Sequence, residues 1–448
     1  MRSVLASYFG ASLLAVRRPN RSNRRMTTSN PNKKPGALSG CRVLDLSTPL
    51  GHLCAKILGD LGADVIKIEP PAGDAGRFRS PFYHDATGSA HSLFWLAYNN
   101  NKRSVTLNLE TSDGARILRR LAAKADFLIE SFPPGYLDSL ELGHEALLQE
   151  NSRLVHVAIT PFGQTGPYRQ FQAEDLQIMA SCGVMSLTGH PGKAPFRISL
   201  SQSEAWASLY GAMGALTAFH HRQRSGQGQF VDVSAQAACV ILCAHAPWFW
   251  DYNRENPTRH GEFMTGRTIT GAKFRTVWPC RDGYLTFIIY GGPAGQKTNR
   301  ALTEWMDAHG MAPQFMQQKN WNEFDVYTMT QDEVDQMEGA IGKFFLHRTK
   351  AEFLKEVVER GMLGYPISSA EDILSDTQLD ARNFWQPLEL PGHREPVRFP
   401  GGFAQFSDVA CGIRIRPPLL GEHTAEIFQK ELGFKRGQLN RLRASRVI

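Results

Sequence analysis

Two short acidic clusters are the residues best placed to do chemistry. Glu174-Asp175 stands immediately before a helical stretch at 176–182, and Ser201-Gln202-Ser203-Glu204 opens a long helix reaching about residue 222. The spacing Ser201-x-x-Glu204 fits a capping box, in which Glu204 reaches back to the Ser201 amide. Asp175 reads likewise as a helix cap. A further acid, Glu69, ends a strand where a dinucleotide fold keeps its ribose-binding carboxylate. The turn from the first strand into the first helix, however, reads Ser47-Thr48-Pro49-Leu50-Gly51-His52. It lacks the G-x-G-x-x-G that lets a backbone approach a pyrophosphate, which argues against a nicotinamide enzyme. Lys102-Arg103 reads by itself as a solvated pair, and His156, inside a strand at 153–159, reads as a satisfied core histidine.

The elements that must position these residues alternate. A strand at 42–46, a helix at 53–61 and a strand at 64–68 make a βαβ unit, hence a parallel pair and an α/β sheet. Strands at 104–109, 126–130, 153–159 and 229–233 follow, with helices at 112–125 and 143–150 between them. The Gly/Pro-rich run TPFGQTGPY (160–168) leaves the carboxyl end of a strand, where ligands of open α/β sheets sit. Residues 196–200 read as strand-like. The helix from 201 is rich in Ala and Gly, so another element packs close against it. Residues 255–370, with strands at 273–278 and 284–290 and a Gly-rich turn at 290–295, read as a smaller α+β domain. The partition is then a leader at 1–39, a large domain from 40–250, the central domain at 255–370 and a return to the large domain at 371–448.

Composition narrows the classes. The 448 residues are 42% hydrophobic and 21% charged, the balance of a folded globular protein. The longest apolar run, 237–250, contains a histidine and is too short for a membrane span, so it reads as a buried helix. The net charge of +7 resides in the leader: residues 1–39 hold six arginines, two lysines and no acid, and without them the charge is −1. A near-neutral body offers no distributed basic face for nucleic acid. The leader reads either as an organelle transit peptide or as an over-extended start before Met26, giving a mitochondrial-matrix or a cytoplasmic protein. Seven scattered cysteines without a CxxC pair predict neither a disulfide framework nor a zinc site.

From 38 to 434 the chain resembles the family III CoA-transferases, the group containing formyl-CoA transferase. The resemblance rests on GCRVLDLS (40–47), LGADVIKIEPP, NNNKRSVTLNL (99–109), ADFLIESFPPG (125–135), ED-x6-CGVMSLTG (174–189), SGQGQFVDVS (225–234) and PPLLGEHT (417–424). It implies a Rossmann-like large domain made from both ends of the chain, a small central domain and two subunits interlocked as rings. It implies coenzyme A and acyl-CoA as substrates, with no permanently bound cofactor and no metal. The partner would be a second copy or a homologous subunit, with no nucleic acid and no membrane.

The family's nucleophile is an aspartate, and gap-free counting puts Glu204 at its position. Partly desolvated at a helix N-terminus, a carboxylate can attack a thioester. Asp175 matches an acidic position lining the acyl site. Leu107, Asn108 and Leu109 fall near the adenine, Ser131, Phe132 and Pro133 after the next strand, and Lys102 and Arg103 near the phosphates. Ser139 replaces an arginine that binds phosphate in some members. Gly266 and Gly271 fall where relatives carry a mobile lid, and an ordinary loop is the other reading. In the related α-methylacyl-CoA racemases a base stands at His144, which with Asp175 would make a two-base pair. Their Gly-His-Asp signature is Ala173-Glu174-Asp175 here. The reading is therefore a CoA-transferase, with a racemase or a catalytically silent subunit as alternatives.

Overall fold

A computed structural model describes residues 34–83, 91–391 and 395–448, so most of the basic leader lies outside the described residues. Six strands form one parallel sheet: β1 (Arg42–Asp45), β2 (Asp64–Glu69), β3 (Lys102–Thr106), β4 (Phe127–Glu130), β5 (Val155–Thr160) and β6 (Phe230–Ser234). Their order, β3-β2-β1-β4-β5-β6, is that of a doubly wound sheet, with its switch point between β1 and β4. Alternate residues along each strand feed two apolar layers. Val43, Val65, Phe127 and Val157 pack with Cys54, Leu58, Ala207 and Ala215 on one face. Leu44, Ile66, Val105 and Leu128 pack with Ile117, Leu118, Leu147 and Phe428 on the other.

Helix α1 (His52–Asp60) follows β1, α2 (Leu93–Tyr98) precedes β3 and α3 (Ser112–Ala122) precedes β4. The long helix Ser203–Ser225 crosses the α1 face. Its small residues are used for close approach: a Cβ on Gly211 would stand 2.7 Å from Ile159 Cδ1 of β5, and one on Gly214 2.7 Å from Val231 Cγ1 of β6. The end of the chain returns to the opposite face, where Ile427, Phe428, Leu432, Leu439, Leu442 and Val447 are buried against the sheet. The amide of Asn108 donates to Val447 O at 2.7 Å, and Gly36 bridges Ala410. A separate apolar cluster drawn from 272–362 surrounds Trp278, Trp305, Phe344 and Phe345. It is backed by a three-stranded antiparallel sheet of Val277–Cys280, Gly283–Thr286 and Tyr365–Pro366.

Two expected elements differ. Residues 196–200 form no strand: Phe196, Ile198 and Leu200 are exposed and no neighbouring strand pairs with them. The run 237–250 is not one buried helix. It breaks after Ala235–Val240 into short 3-10, α and π turns, and Trp248 and Trp250 are 65% and 51% exposed. Length and hydropathy do not fix the placement of a short apolar run, and here its aromatic residues lie at the surface of the described chain. Among the described residues no helix is long and apolar enough to cross a membrane.

Candidate active site

The two acidic clusters meet at the start of the Ser203–Ser225 helix. Asp175, the first residue of helix Asp175–Ser181, turns its carboxylate away from its own helix and onto this one. Its Oδ1 accepts from the Gln202 amide at 2.8 Å, the Ser203 amide at 2.9 Å and Ser203 Oγ at 2.9 Å. Asp175 is thus a cap, but of the neighbouring helix. With those donors taken from outside, the capping box expected from Ser201-x-x-Glu204 does not form. Gln202 is the N-cap and Ser201 lies beyond the helix. Glu204 Oε1 instead accepts from Arg79 Nη1 at 2.6 Å, while Arg79 Nη2 donates to Ser201 Oγ at 2.8 Å. A guanidinium outcompetes a neutral amide for a carboxylate.

Glu204 therefore sits in the first helical turn, with 19% of its side chain exposed against 34% for Arg79. Burial raises its pKa, and the negative charges of Asp175 and Glu174 add to that, while Arg79 pulls it down. The Arg79 guanidinium lies over the Phe94 ring at 4.5 Å, and Phe94 packs on Tyr98 at 4.9 Å. The Tyr98 phenol is itself raised by burial and by Glu204. Arg79 thus joins α2, through Phe94, to the start of the long helix, through Glu204 and Ser201.

Arg79 is held from behind by a buried polar network. The 3-10 turn Ala75–Phe78 is capped by Asp74, which accepts from the Gly76 amide at 2.7 Å. Asp74 pairs with Lys67 at 3.1 Å and His52 at 3.2 Å. Lys102 Nζ donates to Asp45 Oδ2 at 2.8 Å, His52 O at 2.9 Å and Asn99 Oδ1 at 2.9 Å. Burial opposes the Asp45 charge, yet Lys102 and Lys67 bring its carboxyl down to about 2. Arg77 forks onto Glu69 at 2.6 and 2.8 Å and lies 3.7 Å over Trp95.

These contacts correct part of the expected coenzyme site. Lys102 is fully buried, so it faces neither a phosphate nor solvent. Arg103 is engaged by Asp64 at 2.7 Å and Glu431 at 2.9 Å. Both residues lie in β3, and carboxylates of β1, of β2 and of the returning C-terminal segment take their charge. Glu69, likewise, belongs to Arg77. Leu107 and Leu109 are buried in the core, with Asn108 half-exposed between them. Ser131 stands at the switch point: its Oγ accepts from the Thr48 amide at 2.7 Å and meets Thr48 Oγ1 at 2.8 Å. This joins the loops after β1 and β4. Phe132 stacks on Tyr136 at 4.8 Å and its amide donates to Glu130 at 2.6 Å, with Pro133 next in the exposed loop. Ser139 bonds its own turn, at Tyr136 O.

His144 lies 5.6 Å from the His156 ring and 5.0 Å from Phe230, while Asp175 is engaged at the helix start, so the described contacts contain no His144–Asp175 pair. His156 is buried, but neither ring nitrogen has a hydrogen-bond partner among the described residues, and burial with His144 nearby lowers its pKa to about 3. Glu130, 4.0 Å away, is raised by burial to about 8. Gly266 and Gly271 both have positive φ in open space, and the loop between them is tied down by Ile269 N to Tyr327 O at 3.0 Å. Arg79, Phe94, Tyr98 and Thr48 went unnoticed in sequence. Arg79 is 125 residues from its partner, and no local pattern signals that pairing.

Residues 38–424 match CoA-transferase family III, and the chain belongs to that family. It is an enzyme of the CoA-transferase class. It is 34% identical over 404 residues to the succinyl-CoA:(R)-benzylsuccinate CoA-transferase subunit BbsE of Thauera aromatica, covering 90% of this chain and 95% of that one. It is 31% identical over 417 residues to the succinyl-CoA–L-malate CoA-transferase beta subunit of Chloroflexus aurantiacus, covering 92% and 98%. Among solved structures, a CAIB/BAIF family protein from Brucella suis superimposes with a TM-score of 0.74 at 27% identity, covering 88% of this chain and 99% of that one. Both named relatives are transferases, which favours CoA transfer over epimerisation.

Proposed function

We propose that Glu204 is the nucleophile of a CoA transfer from succinyl-CoA to a second carboxylic acid. The observation that carries this is the largely buried Glu204 carboxylate, in the first turn of a helix and paired with one arginine. An Oε attacks the thioester carbonyl and expels CoA thiolate, leaving a mixed anhydride. The thiolate then attacks the glutamyl carbonyl, giving a Glu204–CoA thioester and releasing succinate, which leaves with one glutamyl oxygen. The acceptor carboxylate attacks that thioester and expels the thiolate. Attack of the thiolate on the acceptor's acyl carbon gives the new acyl-CoA and restores Glu204. Succinyl-CoA is the donor because it is the one named for the relatives. The coenzyme would lie over the loops after β1 and β4, which Thr48 and Ser131 tie together, with Phe132, Pro133 and Asn108 as further contacts.

The remaining parts of this reading are organisational. The large domain is built from 40–250 and 371–448 around the central 255–370 segment, and the working unit is an interlocked dimer. The two relatives carry subunit designations, which supports a homologous partner as well as a second copy. Acyl-CoA is an intracellular metabolite, so the protein works in the cytoplasm or, if the leader is removed, in the mitochondrial matrix. Sequencing the mature N-terminus separates these.

Trapping tests the core of the proposal. With succinyl-CoA, hydroxylamine should convert the Glu204 peptide to a hydroxamate and borohydride should reduce it to an alcohol. An acceptor labelled with 18O in its carboxylate should leave one 18O on Glu204. An adduct on Asp175, or a Glu204→Gln enzyme with undiminished exchange, refutes it.

A further inference from the structure

We infer that Arg79 is the carboxylate-exchange site of the reaction: it holds the Glu204 carboxylate in the resting enzyme and the substrate acid's carboxylate once Glu204 is a thioester. The inference rests on the proposed role of Glu204 and adds a residue and a substrate-recognition step to it.

Charge conservation drives the argument. In the resting site Arg79 Nη1 meets Glu204 Oε1 at 2.6 Å and Nη2 meets Ser201 Oγ at 2.8 Å. Formation of the Glu204–CoA thioester removes the negative charge from Glu204 and places it on the acid released from the same carbonyl carbon. The Arg79 guanidinium stays beside that carbon. At that point it would face a neutral thioester from a half-buried position, with the Ser201 hydroxyl and the Phe94 ring as its side-chain neighbours among the described residues. The anion released within a bond length or two of its lost partner is the natural replacement. A guanidinium fork accepts either carboxylate with the same pair of N–H groups. The next acid to enter meets the same fork, which sets its oxygen beside the glutamyl carbonyl it must attack.

The setting suits an exchange rather than a permanent pair. Arg79 cannot drift after Glu204, because its backbone is fixed: its carbonyl accepts from Ser92 Oγ at 2.6 Å, and the turn before it is anchored through Asp74 to Lys67 and His52. The side chain remains one-third exposed while paired, so a solvent-borne acid can reach it. Asp74, Lys67, Arg77 and Glu69, by contrast, are buried and closed to any ligand.

Half-reactions test this. Wild type, Arg79→Gln and Arg79→Lys are mixed with succinyl-CoA, and the CoA adduct on the Glu204 peptide is followed by mass; succinate is then added and discharge of the adduct is timed. Arg79→Gln should acquire the adduct within about tenfold of the wild-type rate but discharge it on the order of 100-fold more slowly, with a raised KM for succinate. Arg79→Lys, which keeps the charge without the fork, should fall between. Added guanidinium should speed discharge of an Arg79→Ala adduct. Discharge by succinate at the wild-type rate in Arg79→Gln, or in Arg79→Lys should the first fail to fold, overturns the exchange role alone. Absence of any wild-type adduct on Glu204 overturns the nucleophile and, with it, this inference.

Discussion

Asp175 and Ser203 are joined twice through one oxygen: Asp175 Oδ1 accepts both the Ser203 amide and the Ser203 hydroxyl at 2.9 Å. One helix therefore supplies the cap of the next, and the acid after Ser203 is delivered to Arg79 at a fixed height. Replacing Asp175 by Ala strands two amides and a buried hydroxyl. The expected cost is about 1–3 kcal/mol in urea unfolding. Asp175→Asn keeps the accepting oxygen and should cost less, and equal losses would show that the charge rather than the geometry matters.

The same pair sets a pH dependence. Glu204 must be ionised to attack, and burial together with Asp175 and Glu174 holds its pKa above the ordinary glutamate value against the opposing pull of Arg79. Activity should fall as pH drops through that raised pKa. Asp175→Asn removes one of the raising charges, so the acid limb of kcat/KM for succinyl-CoA should move to lower pH. A limb that stays in place would mean another group is titrating.

Glu130 gives a second pH effect, on stability. Its pKa of about 8 in the fold lies above the unfolded value, so the native state binds more protons between the two. Stability is then full below the unfolded pKa and declines as pH rises toward 8, by up to about 1.4 kcal/mol per pH unit. His156, depressed to about 3, works in the opposite sense and only on the acid side of its ordinary value. Glu130→Gln should flatten the decline between pH 6 and 8 in thermal melts. A variant that parallels the wild type across that window would contradict the burial argument.

The lysine beside Asp45 is structural. Lys102→Met leaves a fully buried carboxylate with Lys67 as its nearest remaining cation, which should destabilise by about 3–5 kcal/mol. Adding Asp45→Asn should recover a substantial part. If the single variant is as stable as the wild type, the pair is not desolvated in solution.

The exposed turns at 246–253 should be covered in the working protein. Sedimentation at micromolar concentration is expected to give a dimer, and Trp250→Glu to shift it toward monomer with loss of activity. An active wild-type monomer would rule the dimer out.

Local pattern made much of this legible. The βαβ unit at 42–69 was readable to within a residue because two short, continuously buried strands and the helix between them are written in consecutive positions. The capping box was misread because a helix start is open to competition, and Asp175 and Arg79 arrive there from distant parts of the chain. Lys102 was misread for a related reason: a lysine beside an arginine looks solvated until the acid at the end of another strand is brought to it. Burial of 237–250 failed at the level of the single chain.

The return of the last residues to the sheet has a consequence for synthesis. Arg77 donates to Pro418 O, 341 residues further on, and Leu439, Leu442 and Val447 fill one side of the sheet. A ribosome makes that segment some 341 residues after Arg77. Until then the emerging β1–β6 layer carries an uncovered apolar face, at risk of premature association. The step that closes this face must await residues 427–447, so a nascent chain has its site residues already made before it has a finished floor beneath them.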